Sequence, residues 1–170
     1  MNDKPIVLVG MMGAGKTSIG RALARKLKIP FVDLDQEIEA ISGSTVLDIF
    51  TIYGEPEFRR IEEQVFARIL DTPPFIKVIS TGEGAFITQK IRELALANAI
   101  TIWLKADLKL LEKRTSFRAT RPQLLVEDPK KILEKLISER YPIYAMANIT
   151  IETRDEPRLK TLQKVLNAFK

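Results

Sequence analysis

Apolar residues recur along this chain in two rhythms. Five short stretches are apolar almost without interruption and rich in β-branched residues: Pro5 to Val9, Pro30 to Asp35 with an acidic end, Phe75 to Ser80, Ala99 to Leu104, and Ile149 to Ile151. Their length and composition predict strands buried on both faces. Between them the apolar positions take helical spacing: Ser18 to Lys28, Gln36 to Ser42, Thr45 to Tyr53, Glu57 to Leu70, Thr88 to Ala97, Asp107 to Thr115, Pro129 to Ala147 except around Pro142, and Arg158 to Phe169. The fourth of these carries a stripe of Phe58, Ile61, Val65, Phe66 and Ile69, which predicts one face turned to a core. Ser42-Gly43-Ser44 and Thr72-Pro73-Pro74 read as breaks, and the polar, arginine-bearing stretch from Ser116 to Leu125 reads as a mobile segment. Strand and helix alternate throughout. That alternation predicts an α/β fold, a parallel β-sheet flanked by helices on both faces, with ligands at the carboxyl ends of the strands.

Composition narrows the class. A chain of 170 residues, 45% hydrophobic and 29% charged, is expected to form a single domain over 1–170 with an ordinary core. No apolar run approaches the ~20 residues of a membrane span. The start runs straight into the first strand, so no secretory leader is expected and a cytoplasmic location is. The net charge of +5 comes without a Lys/Arg block or interleaved aromatics, so the anionic partner expected is a small molecule and not nucleic acid. The chain has no histidine and no cysteine. Chemistry that needs an imidazole base or a thiolate is therefore excluded, and carboxylates, cations, a metal and positioning remain. Phosphoryl transfer runs on those means.

Residues Gly10-Met11-Met12-Gly13-Ala14-Gly15-Lys16-Thr17 fit the phosphate-loop template G-x-x-x-x-G-K-[ST] at every fixed position, between a predicted strand and a predicted helix. The backbone of Gly13, Ala14, Gly15 and the following Ser18 is placed to cradle a polyphosphate at a helix N-terminus. Lys16 can reach the β and γ phosphates, and Thr17 can ligate Mg²⁺. Asp33 and Asp35 stand where the second strand ends. If the strand continues through them they share a face toward the crevice, and alternatively Asp35 caps the next helix. Arg59 with Glu62 or Glu63 has the spacing of a solvated helix pair. Arg114, Arg118 and Arg121 are spaced by four and three residues, a pattern that suits a segment closing over phosphates. Arg140 lies near a helix break, where a guanidinium fork can grip a carboxylate.

Taken together, GMMGAGKTSIG, FVDLD, the FRRIEE segment, a glycine loop after the middle strand, RPQLL and ERYPIY resemble the shikimate kinase family over nearly the whole chain. The resemblance implies a P-loop NTPase fold of the nucleoside-monophosphate-kinase kind with a mobile lid. It also implies transfer of the ATP γ-phosphate to the 3-hydroxyl of shikimate, in aromatic amino-acid biosynthesis. By the same resemblance, Lys16 and Thr17 act on phosphate and Mg²⁺, and Asp33 supports the metal. Asp35 binds the shikimate hydroxyls and serves as base, while Arg59 and Arg140 hold its carboxylate and Glu62 orients Arg59. Arg121 is the lid arginine, within a lid over 114–126, and Arg114 lies on the adenine side. The substrate-binding segment spans 33–62, closed by Gly82, Glu83 and Gly84, and a monomer is expected. The family has three consecutive glycines at that last place, and Glu83 stands in the middle one here. A side chain there adds a backbone penalty if the position needs positive φ, and brings a negative charge near an anionic substrate. A related kinase acting on an acid such as gluconate, or a nucleotide-binding relative without turnover, are the alternatives that Glu83 leaves open.

Overall fold

In a computed structural model, residues 3–115 and 128–168 are described. Five strands, β1 (Ile6–Val9), β2 (Phe31–Asp33), β3 (Val78–Ser80), β4 (Ile100–Lys105) and β5 (Ile149–Glu152), form one sheet in the order β2-β3-β1-β4-β5. Every pairing is parallel, with Ile6 opposite both Val78 and Ile100. Parallel strands need crossovers, and helices supply them: α1 (Lys16–Leu27), α2 (Leu34–Ser42), α3 (Val46–Tyr53), α4 (Glu55–Asp71), α5 (Gln89–Asn98), α6 (Leu108–Thr115) and α7 (Pro129–Tyr144), with α8 (Arg158–Asn167) following the last strand.

All four residues of β1 are buried, and their alternation divides the core in two. Val7 and Val9 join Phe58, Val65 and Phe66 of α4, Ile91 of α5, Leu111 of α6 and Leu133 of α7 on one face. Ile6 and Leu8 join Ile19 and Leu23 of α1 and Leu162 and Val165 of α8 on the other. The helices thus cover both faces, which is why the strands read as continuous apolar runs rather than alternating ones.

Most element boundaries shift by a residue or two from the sequence expectation, and three of the departures have a physical reason on view. The second strand does not run through the acidic pair: it stops at Asp33, whose Oδ1 accepts the backbone N–H groups of Asp35 at 3.1 Å and Gln36 at 3.3 Å. A helix cap is there, but Asp33 makes it and Asp35 falls in the first turn of α2. The third strand begins at Val78 rather than Phe75, and Phe75 and Ile76 are exposed at 56% and 38%. The buried Lys77, between Ile76 and the start of the strand, explains the shift, since its Nζ donates at 2.6 Å to the carbonyls of Ile69 and Thr72 and so ties off the C-terminal end of α4. Finally, α7 passes through Pro142 and ends at Tyr144. The ring removes one backbone donor close to the helix end, and Tyr141 and Tyr144 on either side pack their rings on Trp103 at centroid distances of 4.9 and 6.0 Å.

Candidate active site

The loop after β1 is shaped by its glycines. Gly13 and Gly15 take φ of 78° and 99°, conformations that L side chains rarely adopt, and they turn the chain into the N-terminus of α1. Lys16 folds back over the loop, its Nζ donating to the carbonyls of Gly10 at 2.7 Å and Met11 at 2.9 Å. The ammonium is thereby held beside the loop in a buried position. Thr17 Oγ1 donates to Asp33 Oδ2 at 3.0 Å and lies 3.3 Å from Ser80 Oγ, which is left as the donor in that second contact. Asp33 and Ser80 are register partners on β2 and β3, and Ser80 pairs with Leu8 of β1, so the triangle sits at the carboxyl edge of the sheet. Ser80 was not legible as a site residue in the sequence, although its place at the end of the middle strand is the signal.

A cavity of about 420 Å³ opens over this loop. Gly13 to Ser18 floor it, Asp33, Asp35, Gly82 and Glu83 close one end, and Arg114, Glu156 and Arg158 stand at the other. Arg114, in the last turn of α6, donates from Nη1 to the carbonyls of Gly13 at 3.1 Å and Ala14 at 3.4 Å, and from Nη2 to that of Arg154 at 3.3 Å. Arg118 and Arg121 lie outside the described residues, as do residues 116–126 of the lid expected over 114–126.

A second cavity, about 500 Å³, adjoins the first and shares Asp35, Gly82 and Glu83 with it. Helices α2, α3 and α4 build its walls, with Glu39, Phe50, Phe58, Arg59 and Glu62 among the lining residues. The reading of Arg59 and Glu62 as a solvated pair does not survive. Arg59 Nη1 donates to Glu62 Oε2 at 2.7 Å, and the Glu62 side chain is 1% exposed. Glu55 at the start of α4 holds the same guanidinium at 3.3 Å. Burial pushes the Glu62 carboxyl up to about 7 against the pull of Arg59, with Asp35 and Glu83 adding to the rise. Burial opposes the charge on Arg59 too, but Glu62 and Glu55 outweigh it and its pKa is raised.

Close approach explains the two glycines that flank Glu83. A Cβ on Gly82 would lie 2.9 Å from Asp35 Oδ1, and one on Gly84 would lie 2.7 Å from the Cζ of Arg59. The loop therefore passes directly between the carboxylate of Asp35 and the guanidinium of Arg59. Glu83 itself incurs no backbone penalty, because among the described residues Lys28 is the one non-glycine with positive φ. Its carbonyl accepts the hydroxyl of the buried Tyr144, while its half-buried side chain acts electrostatically on both Glu62 and Tyr144. Arg140 does not line the second cavity. It lies one turn before Tyr144, where its charge acts on that hydroxyl, with a buried Nη1 that has no hydrogen-bond partner among the described residues. Glu62 Oε1 is likewise buried and unpartnered there. Tyr144 closes the ERYPIY segment without a role read for it in the sequence, and here its hydroxyl supports the Glu83 carbonyl beside Arg140.

The arrangement joins a polyphosphate cradle to a half-apolar cavity containing a fixed guanidinium, with one carboxylate at the junction. Among the described residues there is no cluster of three or more His, Asp or Glu side chains of the kind that holds a metal by protein ligands alone. Thr17 and Asp33 supply two oxygens, which matches a Mg²⁺ ion that takes its other ligands from phosphate and water.

Comparison with known proteins agrees with this geometry. The family model for shikimate kinase matches residues 12–170. A shikimate kinase of Mesorhizobium japonicum is 47% identical over 169 residues, covering 99% of this chain and 82% of that protein. One from Caulobacter vibrioides is 46% identical over 170 residues, covering 100% of this chain and 84% of its own. The structure of shikimate kinase from Acinetobacter baumannii in complex with shikimate superposes with a TM-score of 0.91 at 37% identity, covering 98% of this chain and 92% of that one. With a sheet of this order, a complete phosphate loop and relatives of this similarity along its whole length, the chain belongs to the shikimate kinase family.

Proposed function

We propose that this protein transfers the γ-phosphate of ATP to the 3-hydroxyl of shikimate, a step of aromatic amino-acid biosynthesis, as a cytoplasmic monomer. The observation that carries the reading is the meeting of the two cavities at Asp35, Gly82 and Glu83. One cavity has the features of a polyphosphate site and the other those of a site for a small hydroxylated acid. A phosphoryl group crossing between them passes beside Asp35.

Roles follow from position. The loop from Gly13 to Ser18 and the Lys16 ammonium hold the phosphates, so the transition-state charge meets a preset cation. Thr17 and Asp33 hold Mg²⁺, which when bound neutralises phosphate oxygens. Asp35 accepts a hydrogen bond from the acceptor hydroxyl and takes its proton as the new P–O bond forms. Arg59, fixed by Glu62 and Glu55, holds the substrate carboxylate on the far side of the ring, with Arg140 as the second cation. The segment 33–62 then serves as the substrate-binding unit, and Arg114 with Arg121 serves the nucleotide.

The experiment is ADP formation from MgATP with and without shikimate, in a coupled assay, with gluconate as a comparison acceptor. Shikimate-dependent turnover in the range of about 1 to 10³ per second supports the reading. Turnover on gluconate alone would replace the substrate, and nucleotide binding without turnover on either would replace the enzyme by a binding protein.

A further inference from the structure

We propose that Arg158 is a nucleotide-binding residue that closes on the α-phosphate from the α8 side of the loop cavity. The inference rests on reading that cavity as the nucleotide site. Arg158 lines the cavity, and its Nη1 donates to Ser18 Oγ at 3.4 Å, which places the guanidinium against the first turn of α1. Ser18 follows Thr17, whose hydroxyl faces Asp33 at the transfer end. Arg158 stands at the opposite end with Glu156 and Arg114, so the phosphate within its reach is the one nearest the nucleoside.

Two independent features say that this cation is not there for the fold. Arg158 is the first residue of α8, and the first turn of that helix has no acidic residue. A cation at a helix N-terminus sits against the positive end of the helix dipole and lowers stability unless an anion is present. Secondly, the nearest carboxylate in sequence is already taken: Glu156 binds Lys164 and Thr161, and Arg158 makes no ion pair among the described residues. The exposed guanidinium and the dipole together leave a site of positive charge facing the loop.

Charge balance adds to the case. Among the described residues lining the cavity, Lys16, Arg114 and Arg158 are the cations, against Asp33, Asp35, Glu83 and Glu156. Lys16 and Arg114 are both bonded to loop carbonyls, which fixes where their charges stand. A polyphosphate entering such an acidic surround needs a cation at its nucleoside end, and Arg158, held by a 3.4 Å hydrogen bond to Ser18 Oγ, is placed to reach forward without letting go of the loop carbonyls that Lys16 and Arg114 hold. Since the α-phosphate changes little during transfer, the contact is made equally in ground and transition states, and it acts on nucleotide affinity rather than on the chemical step.

The test is Arg158→Ala and Arg158→Lys in the full chain, with binding of ADP, AMP and adenosine measured separately from turnover. For Arg158→Ala, ADP and AMP affinity should fall about tenfold, as for a lost hydrogen bond between charged groups. Adenosine affinity, kcat and the KM for shikimate should hold, the KM for ATP should rise by a similar factor, and Tm should stay level or rise. Arg158→Lys should recover part of the loss. Unchanged ADP affinity, an equal loss for adenosine, or a fall in Tm together with all three ligands would overturn the proposal, the last by making Arg158 a brace on Ser18. Failure of the wild-type chain to bind ADP at all would instead overturn the reading of the cavity, and this proposal with it.

Discussion

The two cavities that meet at Asp35 are made of different material. The loop cavity is chiefly backbone: glycines at positive φ, carbonyls that hold Lys16 and Arg114, and the N-terminus of α1. Its floor lies within a few consecutive residues, Gly13 to Ser18, with single contributions from strand ends and from helices α6 and α8. The other cavity is chiefly side chain, with Arg59 pinned between Glu55 and the buried Glu62, and a loop from Gly82 to Gly84 threaded between Arg59 and Asp35. The first is tolerant of its surroundings because local chain geometry makes it. The second depends on α2, α3, α4 and the loop after β3 holding station together, with almost no spare room where that loop passes Asp35 and Arg59.

The largest effect expected from breaking this contrast is on the loop side. Lys16→Ala removes the one loop cation held for the transferring phosphate, and kcat should drop at least about 10²-fold, with ADP still bound when titrated directly. Residual turnover within a fewfold of wild type would show that the ammonium is structural.

On the other side the sharpest probe is a single methyl. Gly84→Ala would put its Cβ 2.7 Å from Arg59 Cζ and force the guanidinium aside. The KM for shikimate should rise on the order of 10²-fold, with the KM for ATP held, since misplacement of a positioning group by about 1 Å costs that much. A matching rise in the KM for ATP would mean that the two cavities are not separable.

Proton binding supplies a third, smaller test. The Glu62 carboxyl is pushed up to about 7, well above its range in an unfolded chain, so the folded state binds this proton more tightly. The stability that goes with it is greatest in acid and is lost as pH rises through about 7. Between about pH 5.5 and about pH 8 the loss attributable to Glu62 should be about 2 kcal/mol. Glu62→Gln, which is neutral at both, should flatten that part of the decline in urea unfolding. An identical decline in the variant would assign it elsewhere.

The smallest effect expected is from Glu83→Gly. With no positive φ to relieve, the glycine should leave Tm within about 2–4 °C, while removal of the negative charge lowers the KM for shikimate by about threefold to tenfold at neutral pH. A higher KM would show that Glu83 helps to hold the substrate.

The same contrast explains what the sequence disclosed. The fold class was legible because β1 and its neighbours are buried on both faces, leaving runs that no amphipathic helix would show. The phosphate loop was legible because its chemistry is contiguous. Asp33 was visible as an acid at a strand end, but its capping role went to the neighbouring Asp35, since spacing alone does not say where a strand stops. Phe75 and Ile76 looked like strand because apolar composition does not show that Lys77 anchors the chain to α4 first. Arg59 with Glu62 looked like any surface pair, for burial of Glu62 depends on the helices and loop around it. Ser80 and Arg158 carry no local motif, and Tyr144 ends ERYPIY with nothing local to say what it touches. Their parts follow from register, from a hydroxyl reaching Glu83, and from a helix that begins across the loop from Ser18.

The measurement that bears most directly on the meeting of the two cavities is the behaviour of Asp35→Asn. Shikimate and ADP binding, titrated separately, should each remain within a fewfold of wild type, because the amide keeps the shape at the junction. ATP-dependent phosphorylation of shikimate should fall by about 10²- to 10⁴-fold with loss of the group that takes the hydroxyl proton. Turnover unchanged with both ligands bound would contradict the account, and would place the transfer somewhere other than beside Asp35.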